Sequence, residues 1–130
     1  MAYGTTKVDN IQSSTANTPV AFKDGNGTEI GTLCRAWVNF NGTGTVAIRG
    51  SFNVSSITDR GTGTYTVNLT NALPDTNAAV SSMTGNTASG KAVVTALSFF
   101  STSAIGVETG AALGGGANED SATVTVSVFR

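Results

Sequence analysis

Apolar and polar residues alternate one by one over much of this chain, and a period of two is the signature of a strand. In the closing stretch Ala122, Val124, Val126 and Val128 alternate with Thr123, Thr125 and Ser127. Earlier, Cys34, Ala36, Val38 and Phe40 alternate with Arg35, Trp37 and Asn39, and Tyr65, Val67 and Leu69 with Thr66, Asn68 and Thr70. Successive side chains of a strand point to opposite faces, so each stretch presents one apolar face and one polar face. Wound as helices, the same residues would be scattered around the circumference. Composition points the same way. Thr, Ser, Gly and Asn contribute 21, 13, 16 and 11 of the 130 residues. Branched threonine suits a pleated surface, while Gly and Asn supply turns. Straight-chain helix formers are scarce, with three Glu, three Lys and one Gln.

Turn signals divide the rest. Asn41-Gly42-Thr43-Gly44 separates the Cys34–Phe40 strand from a second run, in which Val46, Ile48, Gly50, Phe52 and Val54 alternate with Ala47, Arg49, Ser51 and Asn53. That run reads as one long strand, hairpin-paired with the first, and Gly50 within it marks a bulge or a close backbone approach. Asp59-Arg60-Gly61-Thr62-Gly63 reads as the next turn, and Pro74-Asp75 as a further break. Residues 78–84 form a short candidate strand and Gly85 to Gly90 a loop. Alanine and leucine in residues 91–100 would admit a helix, but Val93, Val94 and Thr95 followed by Phe99-Phe100 favour a strand. Beyond Ile105-Gly106-Val107 comes a glycine loop, Gly114-Gly115-Gly116. Seven or so short strands imply an all-β fold, an antiparallel β-sandwich over residues 34–130 with jelly-roll-like wiring. Residues 1–33 differ. Their apolar residues (Val8, Ile11, Val20, Phe22, Ile30, Leu33) are isolated, and Asp24-Gly25-Asn26-Gly27 offers one hairpin turn. They read as an extended N-terminal arm that docks on a neighbour.

Charge excludes several roles. Seven basic and eight acidic residues are scattered, without the basic stripe that nucleic-acid binding leaves. Charged residues make up 12% of the chain, about half the usual share. The surface is then either hydroxyl-rich or buried in an assembly. No run approaches the roughly 18 apolar residues that span a bilayer, so membrane insertion is not expected. The opening Met1-Ala2-Tyr3-Gly4 lacks the charged and then apolar pattern of a signal peptide, which points to maturation in a cytoplasm. A single cysteine, Cys34, allows no intrachain disulfide and reads as a small buried hydrophobe. N-x-S/T patterns at Asn26, Asn41, Asn53 and Asn68 follow from a chain rich in Asn and Thr.

Catalytic chemistry finds little purchase. Histidine is absent, and with it the commonest general base and metal ligand. Gly85 to Lys91 has the spacing of a phosphate-binding loop, but Ala92 stands where a Ser or Thr would hold magnesium, and no helix is expected to follow. The acids Asp9, Asp24, Glu29, Asp59, Asp75, Glu108, Glu119 and Asp120 fall mostly in turns, where they bond locally. Asp24, Asn26 and Glu29, or Asn118, Glu119 and Asp120, suggest calcium, but each group is too short to complete a coordination shell. No catalytic residue, cofactor or metal is therefore expected. Trp37, Tyr65 and Tyr3 are candidates to stack on sugar rings, although for Trp37 packing in the second layer of a sandwich or against a neighbouring subunit is the favoured reading. The loops 41–44, 59–63, 85–90 and 110–119 are the expected contact surfaces. The residues singled out for receptor or partner contact are Trp37, Asn41, Thr43, Arg60, Thr62, Asn86, Lys91 and Asn118.

Two stretches carry a family resemblance. The opening MAYGTTKVDNIQSST resembles the N-terminal segment of virion structural and fibre proteins of marine and cyanobacterial phages. CRAWVNFNGTGTVAIRGSFNVSSITDRGTGTYTVNLTNALPDTNAAV, with the closing SATVTVSVFR, resembles a domain at the distal ends of phage tail fibre-like proteins. AWVNF, SFNVSSI and GTGTYTVNLTNALPD are its most specific blocks, and the resemblance covers roughly two thirds of the chain. It implies a β-rich, non-enzymatic domain in a homotrimeric appendage of the virion, assembled in the host cytoplasm. In that family a long shaft follows the opening segment. Here the segment runs almost directly into the distal domain, which implies a stubby appendage. The expected role is a short tail-fibre or tail-associated component that attaches to a host surface glycan or protein and docks on other virion proteins through the arm. The alternative is a capsid decoration protein clamping shell subunits.

Overall fold

The computed structural model describes residues 4–15, 20–85, 93–111 and 116–130, and these residues form ten strands and no helix. The chain divides into two compact units, Met1–Leu33 and Cys34–Arg130. In the first, β1 (Phe22–Lys23) and β2 (Glu29–Gly31) pair as an antiparallel hairpin. Its turn is built by Asp24, whose Oδ1 accepts the backbone N–H groups of Asn26 and Thr28, both at 2.9 Å. Val8, Ile11, Phe22, Ile30 and Leu33 are all exposed. A two-stranded ribbon of this size is marginal in water, because one ladder buries too little to offset the ordering of its backbone.

The second unit is the β-sandwich that the alternation implies. Its strands are β3 (Cys34–Asn41), β4 (Ala47–Phe52), β5 (Val54–Gly61), β6 (Thr64–Leu69), β7 (Ala79–Thr84), β8 (Val93–Phe100), β9 (Ala104–Ala111) and β10 (Val124–Phe129). They form two antiparallel four-stranded sheets, ordered β4-β3-β10-β7 and β5-β6-β9-β8. The alternating apolar residues meet between them. Ala36, Val38 and Phe40 of β3 and Val124, Val126 and Val128 of β10 pack with Tyr65, Val67 and Leu69 of β6 and Ile105 and Val107 of β9. Phe40 and Tyr65 meet edge to face across the layers, ring centroids 5.2 Å apart at 73°. The wiring shares two features with a jelly roll, namely eight strands in two sheets and a last strand beside the first. It differs in keeping three consecutive pairs, β3–β4, β5–β6 and β8–β9, as hairpins within one sheet.

The long strand expected over residues 46–54 is corrected here. It breaks at Asn53, where the backbone takes a left-handed φ of 56° and the chain passes from the first sheet to the second. Asparagine tolerates that conformation better than most residues. Its side chain then fastens the corner. Nδ2 donates to the carbonyls of Arg35 and Asn71, both at 3.1 Å, and Oδ1 accepts the Asn71 N–H at 2.8 Å. The turn expected over 59–63 is also shorter, since β5 runs through Gly61 and leaves only Thr62 and Gly63 outside strands. Gly50 stands beside the expected irregularity: the β3–β4 register shifts between Asn39 and Phe40, and the Trp37 ring lies over Gly50. Residues 93–100 are a strand, despite their helix-compatible Ala and Leu.

Asn53→Ala removes the corner's side-chain hydrogen bonds and puts a Cβ-bearing residue less tolerant of αL at positive φ. The expected loss is about 2–3 kcal/mol, measured as a lower urea midpoint at unchanged m-value.

Candidate functional site

Antiparallel order places four connections at one end of the sandwich: β3–β4, β5–β6, β7–β8 and β9–β10. Cys34, the Asn53 corner and Phe129 lie at the other. The loop end is braced from inside by Tyr65. Its ring is fully buried, and its hydroxyl lies 2.8 Å from the carbonyl oxygen of Gly42 and 2.9 Å from Asp120 Oδ1, with one proton to share between them. Asp120 Oδ1 also accepts the Gly63 N–H at 2.7 Å, and the Gly42 N–H donates to the Ser121 carbonyl at 2.9 Å. Three connections are thereby tied to one phenol and one carboxylate. The fourth is attached through Gly85, whose N–H donates to Thr123 O and whose carbonyl accepts Ser121 Oγ. Burial, and then the hydrogen bond to Asp120, push the Tyr65 phenol well above its ordinary value.

Two glycines permit this convergence. A Cβ on Gly42 would stand 2.5 Å from the Tyr65 hydroxyl oxygen, and one on Gly63 would stand 2.4 Å from Thr109 O. Gly63 also has a φ of 63°. Thr109 completes the arrangement, with its N–H donating to Gly63 O and its Oγ1 to Glu119 O.

Four of the residues expected to make contacts are gathered at this end. Asn41 shapes the first loop, its Nδ2 donating to Thr43 O at 2.7 Å and its Oδ1 accepting from Thr43 Oγ1 at 2.8 Å. Thr62 is exposed on the β5–β6 turn. Asn118 is exposed beside it and donates to Thr64 Oγ1 at 3.1 Å. Arg60 lies on β5, its Nε donating to Thr66 Oγ1 at 2.6 Å across the outside of the second sheet. Trp37 is apart from all of these, on the outer face of the first sheet and 42% exposed. Asn86 and Lys91, with the phosphate-loop spacing and most of the 85–90 loop, lie outside the described residues, as does Tyr3.

Tyr65 must be corrected. A fully buried ring offers no face to a sugar, and its role is to brace the loops. Asp120, expected to bond locally in a turn or to suggest calcium, instead accepts at Oδ1 from the distant Tyr65 hydroxyl and Gly63 N–H. Nothing local in the sequence marks the Tyr65 pairing, because the two partners stand 55 residues apart. Asp24 is similarly engaged by its own turn. Asp75 forms a two-pronged ion pair with Arg130, at 2.7 and 2.5 Å. The Arg130 hydrogen bond, followed by the Asn77 N–H, holds its carboxyl down at about 2. Cys34 is half-buried, and its thiol donates to Ala36 O. Among the described residues no group of three His, Cys, Asp or Glu side chains gathers where it could hold a metal ion. The described tip presents hydroxyls and amides, which suit hydrogen bonding to a neutral polar surface. Comparison with protein-family models, curated proteins and solved structures found no match.

Tyr65→Phe removes the proton shared by Gly42 O and Asp120 and leaves both short of a buried partner, an expected loss of about 1–3 kcal/mol. The phenol also sets an alkaline limit. Its pKa is raised on folding, so its contribution is complete below the unfolded value of 10 and declines as pH rises above it. Denaturation midpoints should fall above pH 10 in the parent and fall less steeply in Tyr65→Phe.

Proposed function

We propose that this chain is a non-enzymatic structural component of a bacteriophage virion surface, a short tail-fibre or tail-associated protein that attaches to the host. The observation that carries the reading is the loop end. Three connections are braced there from within by Tyr65 and Asp120, Gly85 of a fourth is held by Ser121 and Thr123, and this end stands opposite Cys34, where the chain enters the sandwich. A rigid two-layer body with pre-ordered loops loses little entropy when it binds, which favours recognition over flexibility. Thr43, Thr62 and Asn118 offer hydroxyls and an amide for a host surface glycan or protein. Residues 1–33 expose Val8, Ile11, Phe22, Ile30 and Leu33. Docking on another virion protein would cover that apolar surface, and the resemblance of the opening segment to phage structural proteins agrees with this role.

The exposed apolar side chains of residues 1–33 equally suit a decoration protein whose arm clamps capsid subunits. Gold labelling of intact virions with an antibody against residues 34–130 separates the two. Label at the tail is the expected result. Label spread over the head transfers the protein to capsid decoration, and particles without label remove the virion reading.

A further inference from the structure

The outer face of the first sheet carries large apolar side chains that the described residues leave largely exposed. Trp37 is 42% exposed, Phe52 55%, Met83 70% and Phe129 40%. The ladder fixes how they are arranged. Trp37 pairs with Phe52 and with Ser127, and Ser127 pairs with Ser81, so one row across the sheet reads Phe52–Trp37–Ser127–Ser81. The next row reads Gly50–Asn39–Thr125–Met83 by the same registers. Directly paired residues share a face, and the buried partners at 38, 126 and 128 place both rows outward. The first row thus runs from two large rings to two small hydroxyls. The second runs from a glycine to an exposed thioether.

We propose that this face pairs with the same face of a second copy of the chain, about a two-fold axis parallel to the strands and lying between β3 and β10. Such an axis reverses the order of each row. Phe52 then lies over the partner's Ser81 and Trp37 over the partner's Ser127. Asn39 meets the partner's Thr125 as a hydrogen-bonding pair. Met83 comes down beside the partner's Gly50, where the partner's Trp37 ring already lies, and a thioether packs well on an indole. Large residues meet small ones in three of the four pairings, and in the fourth two polar residues of similar size meet, as a self-complementary interface allows.

Charge allows the same pairing. The four strands of this sheet contain no Asp or Glu. Their two cations, Arg35 and Arg49, both belong to β3 and β4, whereas β10 and β7 carry no charge. Arg49 is further engaged by Ala122 O at 2.6 Å and Thr123 Oγ1 at 3.3 Å. Four strands of about six residues span roughly 19 by 20 Å, on the order of 400 Å² before side-chain relief is added. That relief brings the face near the roughly 500 Å² per partner of a weak, transient interface, which fits a dimer that dissociates on dilution.

Trp37 is the one tryptophan of the chain, so it reports its own burial. The test is light scattering of the full chain over a concentration series, with Trp37 emission and iodide quenching read on the same samples. The expected result is a dimer that dissociates on dilution, with emission moving to the red and quenching rising as monomer appears. Ser81→Arg and Met83→Glu, at two exposed positions that leave Trp37 untouched, should each weaken pairing by roughly tenfold or more and make Trp37 accessible at concentrations where the parent is paired. A monomer at every concentration overturns the proposal. A trimer overturns it, as does any oligomer in which Trp37 stays quenchable and both variants assemble like the parent. Trp37 emission that responds to added glycan but not to protein concentration also overturns it, and assigns the face to a ligand.

Discussion

One buried hydroxyl holds the loop end of this molecule together. Tyr65 belongs to the second sheet, its ring meets Phe40 of the first, and its oxygen reaches the β3–β4 loop at Gly42 and the β9–β10 loop at Asp120. Asp120 in turn holds the β5–β6 turn through Gly63. A buried phenol and a partly buried carboxylate are costly to desolvate alone. Together they satisfy each other and two backbone groups, and no buried side-chain polar atom among the described residues lacks a partner. Loops that must close over such a centre have few alternative positions. The two glycines that admit it, Gly42 and Gly63, are therefore as constrained as the core.

The sides of the sandwich use polar chemistry of another kind. Two stacked sheets leave four edge strands, each a potential template for unwanted pairing. On one side the chain passes from β4 to β5 through Asn53, whose amide ties Arg35 to Asn71. On the other, Ser82 of β7 and Thr95 of β8 share a hydroxyl contact at 2.7 Å, and Thr95 Oγ1 also donates to Ser82 O at 3.0 Å. Irregular registers in the β3–β4, β5–β6 and β8–β9 pairs further distort edge strands β4, β5 and β8. These devices suit a chain with few charged residues to repel its copies.

The two outer faces are not equivalent. On the second sheet Asn68 donates to Ser56 Oγ and Thr58 Oγ1, and Arg60 bonds Thr66, so the described surface of β5 and β6 is a network of short polar side chains. Phe99 covers Gly106, where a Cβ would meet its ring, and is itself 41% exposed. The first sheet instead keeps Trp37, Phe52 and Met83 in solvent. The first sheet thus exposes the larger set of apolar side chains, and the second carries the denser polar network.

The alternation of residue types by itself determined the strands, the faces they bury and the all-β class, because side-chain direction in a strand depends only on neighbours one and two residues away. Thus β3, β6 and β10 were legible residue by residue, and Asn41-Gly42 and Asp24 to Gly27 were legible as turns. Tertiary structure decided what that local rule cannot carry. Asn53 alternates like any strand residue, and only the need to change sheets turns it into a corner. Tyr65 reads equally well as an exposed aromatic or a core ring until Gly42 and Asp120, 23 and 55 residues away, are brought to its hydroxyl. That Thr43, Thr62 and Asn118 share one end, while Trp37 occupies a separate face, follows from strand order. Strand order is set by which apolar faces can be buried together at once, and no short window of sequence contains that information.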